Sequence, residues 1–103
     1  MPKVWRIEDS QGRGCYSGEK AWKLRFLFTK HCTDDKHPSP YMDSGIKRYA
    51  NYPEQHGFKD RKQLLNWFTI KELKILKYHG FKLKRLEVQK ITKIGLTQVL
   101  FIR

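Results

Sequence analysis

An α+β fold with a mainly antiparallel sheet is predicted for this chain by three observations. Val4-Trp5-Arg6-Ile7-Glu8 alternates at period 2, Asp60 and Thr69 each open a helical pattern, and apolar strand-like runs flank Gly95 near the end. The order is strand, helix, long loop, helix, helix, strand, strand. It gives one small domain over residues 1–103 with two or three helices and a long ordered loop.

The first strand sets Trp5 and Ile7 on one side and Val4, Arg6 and Glu8 on the other. It stops at Asp9-Ser10-Gln11-Gly12-Arg13-Gly14, a turn composition. Ala21, Trp22, Leu24, Phe26, Leu27 and Phe28 fit a period of 2 or of 3.6, and the segment from Ser17 to His31 is read as a helix. Residues 31–58 hold Pro38, Pro40 and Pro53 with Asp34, Asp35, Gly45, Asn51 and Gly57, which marks a long irregular segment. Loops of that length in a compact domain more often carry function than merely link elements.

Asp60 and Gln63 have the spacing of a capping box and open a short helix carrying Leu64, Leu65, Trp67 and Phe68 inward. Thr69-Ile70-Lys71-Glu72 repeats that spacing and opens a second helix with Leu73 and Leu76 on its buried side. His79-Gly80 closes it, because glycine takes the left-handed conformation without a Cβ penalty. Phe81, Leu83, Leu86 and Val88 mark a strand whose parity changes between Lys84 and Arg85, which predicts a bulge there. Gly95 turns the chain into Thr97–Ile102, and these two strands are expected to pair as a hairpin.

Charge narrows the function. The chain holds 22 Lys or Arg against 10 Asp or Glu, a net charge of +12. Residues 1–57 carry ten basic side chains against seven acids, and residues 58–103 carry twelve against three. So strong a field in the second half calls for an acidic partner. Nucleic acid ranks first, because neutralising phosphates releases counterions, and an acidic protein face ranks second. No stretch approaches the ~20 apolar residues of a membrane span, and no segment pairs a basic face with a continuous apolar one. The first residues lack the apolar stretch of a secretory signal, so a cytoplasmic location with reduced Cys15 and Cys32 is expected.

Lys71, Lys74 and Lys77 lie three apart and form one slanting row on the second helix, while Lys82 and Lys84 share a strand face. With Arg85, Lys90 and Lys93 they make the candidate surface for nucleic acid or another acidic partner. Tyr78 and Trp67 are the aromatics at hand for base stacking, and both are read as core. No zinc-finger, homeodomain or RRM pattern occurs, so readout of base sequence is not expected. His31, Cys32, Asp34, Asp35 and His37, with Cys15, supply metal-type ligands without zinc spacing, and no metal is assigned.

His37-Pro38-Ser39-Pro40-Tyr41-Met42-Asp43 reads as a rigid loop, each proline fixing its own φ and holding the preceding residue extended. Such a loop presents His37, Tyr41 and Asp43 to a ligand, or else forms a structural corner. Arg6 sits in an otherwise apolar strand. A solvated arginine on an edge strand is the reading taken; in a central strand it would have to be paired or face a cleft.

Val4-Trp5-Arg6-Ile7-Glu8, Gly12-Arg13-Gly14-Cys15-Tyr16, His37-Pro38-Ser39-Pro40 with Asp43, Gly57-Phe58-Lys59-Asp60 through Leu64, Trp67 and Phe68, and Gln98-Val99-Leu100-Phe101 together resemble a group of small phage and prophage proteins over most of the chain. That resemblance implies an accessory protein in the cytoplasm of the bacterial host, of the kind that inhibits a host defence system as anti-CRISPR proteins do. The layout also resembles, more distantly, compact ADP-ribosyltransferases. This second resemblance implies NAD as cofactor, with Arg6 as the cofactor-binding arginine and Tyr16, His37, Tyr41, Asp43 and Gln98 as further pocket residues. Gln98 stands where that family's final Glu-x-Val-Leu strand has its catalytic Glu, and an amide lacks the charge that stabilises an oxocarbenium-like transition state.

The leading expectation is therefore a binding protein without cofactor, monomer or homodimer, whose basic half docks on nucleic acid or on a nucleic-acid-containing host complex. No catalytic residue is assigned. An NAD-dependent, ADP-ribosyltransferase-like enzyme and a dimerising module with the Val99–Ile102 strand at a sheet edge are the alternatives.

Overall fold

The computed structural model describes residues 2–15 and 37–103. Tyr16, Cys32 and the segment read as a helix between Ser17 and His31 lie outside them. The alternation near the start forms β1 (Lys3–Glu8), which is covered on both faces, with Val4 and Glu8 buried on one side and Ile7 on the other. Asp9 ends it. The Asp9 N–H donates to the Arg13 carbonyl at 2.9 Å, and its Oδ1 accepts from the N–H groups of Gln11 and Arg13, both at 2.9 Å. Gly12, at φ 79°, supplies the left-handed residue this tight turn requires.

Both helix-start signals fold as their local chemistry dictates. Asp60 caps α1 (Arg61–Trp67) by accepting from the Gln63 N–H at 2.8 Å, although the Gln63 carboxamide reaches one residue further back than a capping box does, to the Lys59 N–H at 3.0 Å. Thr69 and Glu72 form the full reciprocal box at the start of α2 (Ile70–Tyr78). Gly80, at φ 89°, closes α2: its N–H bonds the Lys77 carbonyl at 3.1 Å, and that of Phe81 bonds the Leu76 carbonyl at 2.9 Å. Leu65 departs from expectation. It is exposed, because it lies on the side of Leu64 away from Gln63 and so turns off the face that buries Gln63, Leu64 and Trp67.

The remaining strands are β2 (Gln55–Gly57), β3 (Lys82–Glu87), β4 (Lys90–Ile94) and β5 (Val99–Ile102). β1 pairs antiparallel with β3, from Lys3 opposite Glu87 to Glu8 opposite Lys82. β5 lies between β2 and β4, antiparallel to both. A bridge between Trp5 and Phe58 joins β1 to the chain just after β2. The two residues between β3 and β4 hand the chain from one pair to the other: Val88 N–H bonds the Pro2 carbonyl and Gln89 N–H that of Ile102. The pairings thus run in a ring, β1 to β2 to β5 to the β3–β4 run and back to β1.

That ring corrects several expectations. The hairpin through Gly95 is made by β4 and β5, whereas the Phe81–Val88 region pairs with β1. The irregularity falls between Ile91 and Lys93 rather than between Lys84 and Arg85, at the point where β4 must bend around β5. β5 is not an edge strand, so the Val99–Ile102 ladder is filled on both sides and is not open to a second chain. β1 is not an edge strand either, which decides the environment of Arg6.

Two apolar clusters result, one on each side of β1. Ile7, Phe58, Leu64, Trp67, Leu76 and Phe81 pack β1 against the helices. Val4, Val88, Val99 and Phe101 fill the space enclosed by the strands. Full burial of such side chains contributes about 1.5–3 kcal/mol each, which suits a small α+β domain.

Candidate functional site

Glu8 organises the charges at the end of β1. Its buried carboxylate accepts a two-pronged pair from Arg103, at 2.8 and 2.9 Å, together with Arg6 Nε at 3.2 Å, and Lys84 Nζ stands 3.4 Å away. Burial pushes this carboxyl up, but the hydrogen bonds and charges of Arg103 and Lys84 outweigh it and hold it below the usual carboxylate range. Three cations surround one anion. Arg6 is the least compensated of them: burial, with Arg103 adding to it, lowers its guanidinium against the pull of Glu8. Its Nη1 donates to the His56 carbonyl, and Nη2 has no acceptor among the described residues.

Arg6 also lines a cavity of about 370 Å³. Phe58, Trp67 and Phe68 give it an aromatic wall, with Phe58 and Trp67 ring centroids 5.9 Å apart, and the exposed ring of Tyr49 lies at its rim. Gly14, Cys15, Ser39 and Gln98 supply the polar part. Of the residues grouped in one ligand pocket from the sequence, Arg6 and Gln98 do meet here. The others divide. Tyr16 lies outside the described residues, and Tyr41 is exposed and stacked on Tyr49 at 5.4 Å. His37 bonds the Trp67 carbonyl through Nε2 and packs edge-on against its ring at 5.1 Å.

Asp43 is a structural corner rather than a ligand contact. Its Oδ1 accepts from the N–H groups of Gly45 and Leu96, at 2.9 and 2.8 Å, and its Oδ2 from the N–H and hydroxyl of Thr97, at 2.9 and 2.7 Å. Burial pushes this carboxyl up, but these donors outweigh it and hold its pKa below the usual carboxylate range. The loop is fixed a second time where Glu54 takes Arg48 in a paired contact at 2.6 and 2.8 Å, and Thr92 donates to the same carboxylate. Gln98 is likewise engaged, its amide donating to the Pro38 carbonyl at 2.9 Å.

The basic residues fall into groups. Lys71, Lys74 and Lys77 are exposed on the outer face of α2, with no carboxylate partner among the described residues. Lys77 and Lys82 border one groove, of about 390 Å³, floored by Ile7, Leu73 and Leu76, which links the helix row to β3. Lys84 is turned to Glu8, and Arg85 lies 5.8 Å above the Trp5 ring. Lys90 and Lys93 are exposed on β4, the strand paired with β5. Tyr78 was read as core, yet it is 87% exposed, since it follows Lys74 by one turn on the outer face. Trp67 is buried as expected.

The acids sharpen this polarity. Glu8, Asp9, Asp43 and Glu54 turn their carboxylates inward, while Asp60 and Glu72 are used as helix caps. Among the described residues, no group of three or more His, Cys, Asp or Glu is placed to hold a metal ion, and no helix is long and apolar enough to cross a membrane.

A family model described as the bacteriophage T4 Y00F protein matches residues 1–103. The chain belongs to the bacteriophage T4 Y00F family. Neither a curated protein nor a solved structure matches it. The resemblance to small phage proteins thus holds at the level of this family. In this Y00F family chain, sequence reasoning named Tyr78 as an aromatic at hand for stacking but read it as core, and it passed over Tyr49. Helical spacing from Lys74 was the available signal for Tyr78; Tyr49, in an irregular loop, offers none.

Proposed function

We propose that this phage protein binds single-stranded nucleic acid on the outer face of α2. Lys71, Lys74 and Lys77, with Lys82 across the groove, contact phosphates, and Tyr78 stacks on a base. The observation that carries this reading is the 87% exposure of Tyr78 one helical turn from Lys74, in a row of lysines without carboxylate partners among the described residues. A positively charged track with an exposed aromatic is the arrangement that holds single strands without reading their sequence. Glu72, the carboxylate on α2, is used in the helix cap with Thr69, and no ion pair to Lys71, Lys74 or Lys77 forms among the described residues. Bound to the exposed strand of a host nucleoprotein complex, the same face would compete with that complex, the route by which an anti-defence role would follow.

The test is a salt series against labelled single-stranded and duplex DNA and RNA. Binding that favours single strands and weakens steeply with salt supports the reading. Absence of binding at low salt, or equal binding by a Lys71/Lys74/Lys77 triple alanine variant, refutes it.

A further inference from the structure

The cavity beside Arg6 lies apart from the α2 face and has a chemistry of its own. Its wall is aromatic, its rim carries the exposed Tyr49 ring, and its main charge is a half-buried guanidinium. Among the described residues Glu8 is the one carboxylate paired with Arg6, Lys84 and Arg103, so these four groups together hold surplus positive charge. Arg6 Nη2 keeps an unused donor among the described residues, and the absence of a side chain at Gly14 makes room for it: a Cβ there would stand 2.9 Å from that nitrogen. A surplus cation with a spare donor at an apolar cavity calls for an anionic group, and the aromatic wall calls for a flat ring. A volume of about 370 Å³ falls at the small end of small-molecule sites.

We infer that this cavity is a binding site for a free, mononucleotide-sized ligand, with the anionic group on Arg6 and the ring against Phe58, Trp67 and Tyr49. Ser39 and Gln98 also line the cavity, and the Ser39 hydroxyl offers a polar contact to the ligand. The site is independent of the lysine row on α2.

Calorimetry and thermal melting of the full chain with AMP, adenosine and inorganic phosphate test this. AMP is expected to raise the melting temperature and to bind at least tenfold more tightly than adenosine or phosphate, since each of these supplies half of the match. Tyr49→Ala, at an exposed position, and Gly14→Ala, which crowds Arg6, are each expected to weaken AMP at least fivefold. If circular dichroism shows Gly14→Ala to be unfolded, Tyr49→Ala decides alone. The Lys71/Lys74/Lys77 triple alanine variant should bind AMP as the wild type does, which separates this site from the nucleic-acid face. No response at millimolar AMP, adenosine equal to AMP, or full affinity in Tyr49→Ala would each overturn the inference. So would displacement of AMP by excess single-stranded oligonucleotide, which would make the occupant a residue of a strand rather than a free nucleotide.

Discussion

Arg103 grips Glu8 with both ends of its guanidinium, at 2.8 and 2.9 Å, and so ties the residue after β5 to the last residue of β1. The carboxylate is fully buried, while Arg103 keeps part of its surface in water. Removing the anion strands three cations around a buried site, whereas removing Arg103 leaves Arg6 and Lys84 in place. Glu8→Ala is therefore expected to cost about 3–5 kcal/mol, and Arg103→Ala about 1–3 kcal/mol. Urea denaturation of the two variants checks the order; equal losses would show that Arg103 alone compensates Glu8.

Acid should unfold the protein through the same kind of group. Glu8 and Asp43 both have folded-state pKa values held below the unfolded ones of about 4.3 and 3.9. A carboxyl lowered on folding stabilises the native state above its unfolded pKa, and that stability is lost as pH falls through the folded one. Urea midpoints should be level from pH 7 to about pH 5 and then drop steadily toward pH 3. Asp43→Asn should start lower at pH 7 and fall less steeply; an unchanged slope would show that Asp43 takes no part.

Gly95 is kept small by that carboxylate. A Cβ at this position would meet Asp43 Oδ2 at 2.5 Å and its Cγ at 2.6 Å, and Asp43 cannot retreat without releasing Leu96 and Thr97. Gln63 pins the same turn by donating to the carbonyls of Gly95 and Leu96, both at 3.2 Å. Gly95→Ala is expected to destabilise by about 1–3 kcal/mol, the usual cost of forcing atoms into a filled site. Thermal melting of Gly95→Ala beside Asp43→Ala/Gly95→Ala gives the diagnosis, because removing the carboxylate relieves the clash and the two losses should not add.

Features of this fold that close within four residues were legible in the sequence. Thr69 with Glu72, the cap at Asp60, the turn at Asp9 and the stop at Gly80 depend only on neighbours, and each forms where its spacing places it, with Gln63 reaching Lys59 in place of Asp60. Features that depend on distant partners were not. Arg6 reads as solvated until Glu8 is buried by Arg103, 95 residues away, and Asp43 reads equally as a ligand group or a structural corner until the turn at Leu96 and Thr97, more than 50 residues on, takes its oxygens. β4 was overlooked because Val88 and Gln89 carry one continuous run from β1 to β5, and a strand that changes partner has no signature in its own residues. The cavity is harder still to foresee, since it joins Arg6, Tyr49, Trp67 and Gln98 from four separate segments.

Charge and stacking on α2 can be separated by experiment, because they respond differently to salt. Each lysine that neutralises a phosphate of a single strand adds about 0.7 to the slope of log affinity against log salt. Replacing Lys71, Lys74 and Lys77 by alanine should therefore weaken binding and flatten that slope by about 2. Tyr78→Ala removes a stacked base worth about 1–3 kcal/mol, so it should weaken binding markedly at every salt concentration and leave the slope unchanged. The fold should tolerate both changes, since all four side chains are exposed and the Thr69–Glu72 cap and the Gly80 stop that define α2 are untouched. Fluorescence anisotropy across four salt concentrations distinguishes the two effects. A Tyr78→Ala variant that binds as tightly as the wild type would leave a purely electrostatic surface, with no preference for single strands.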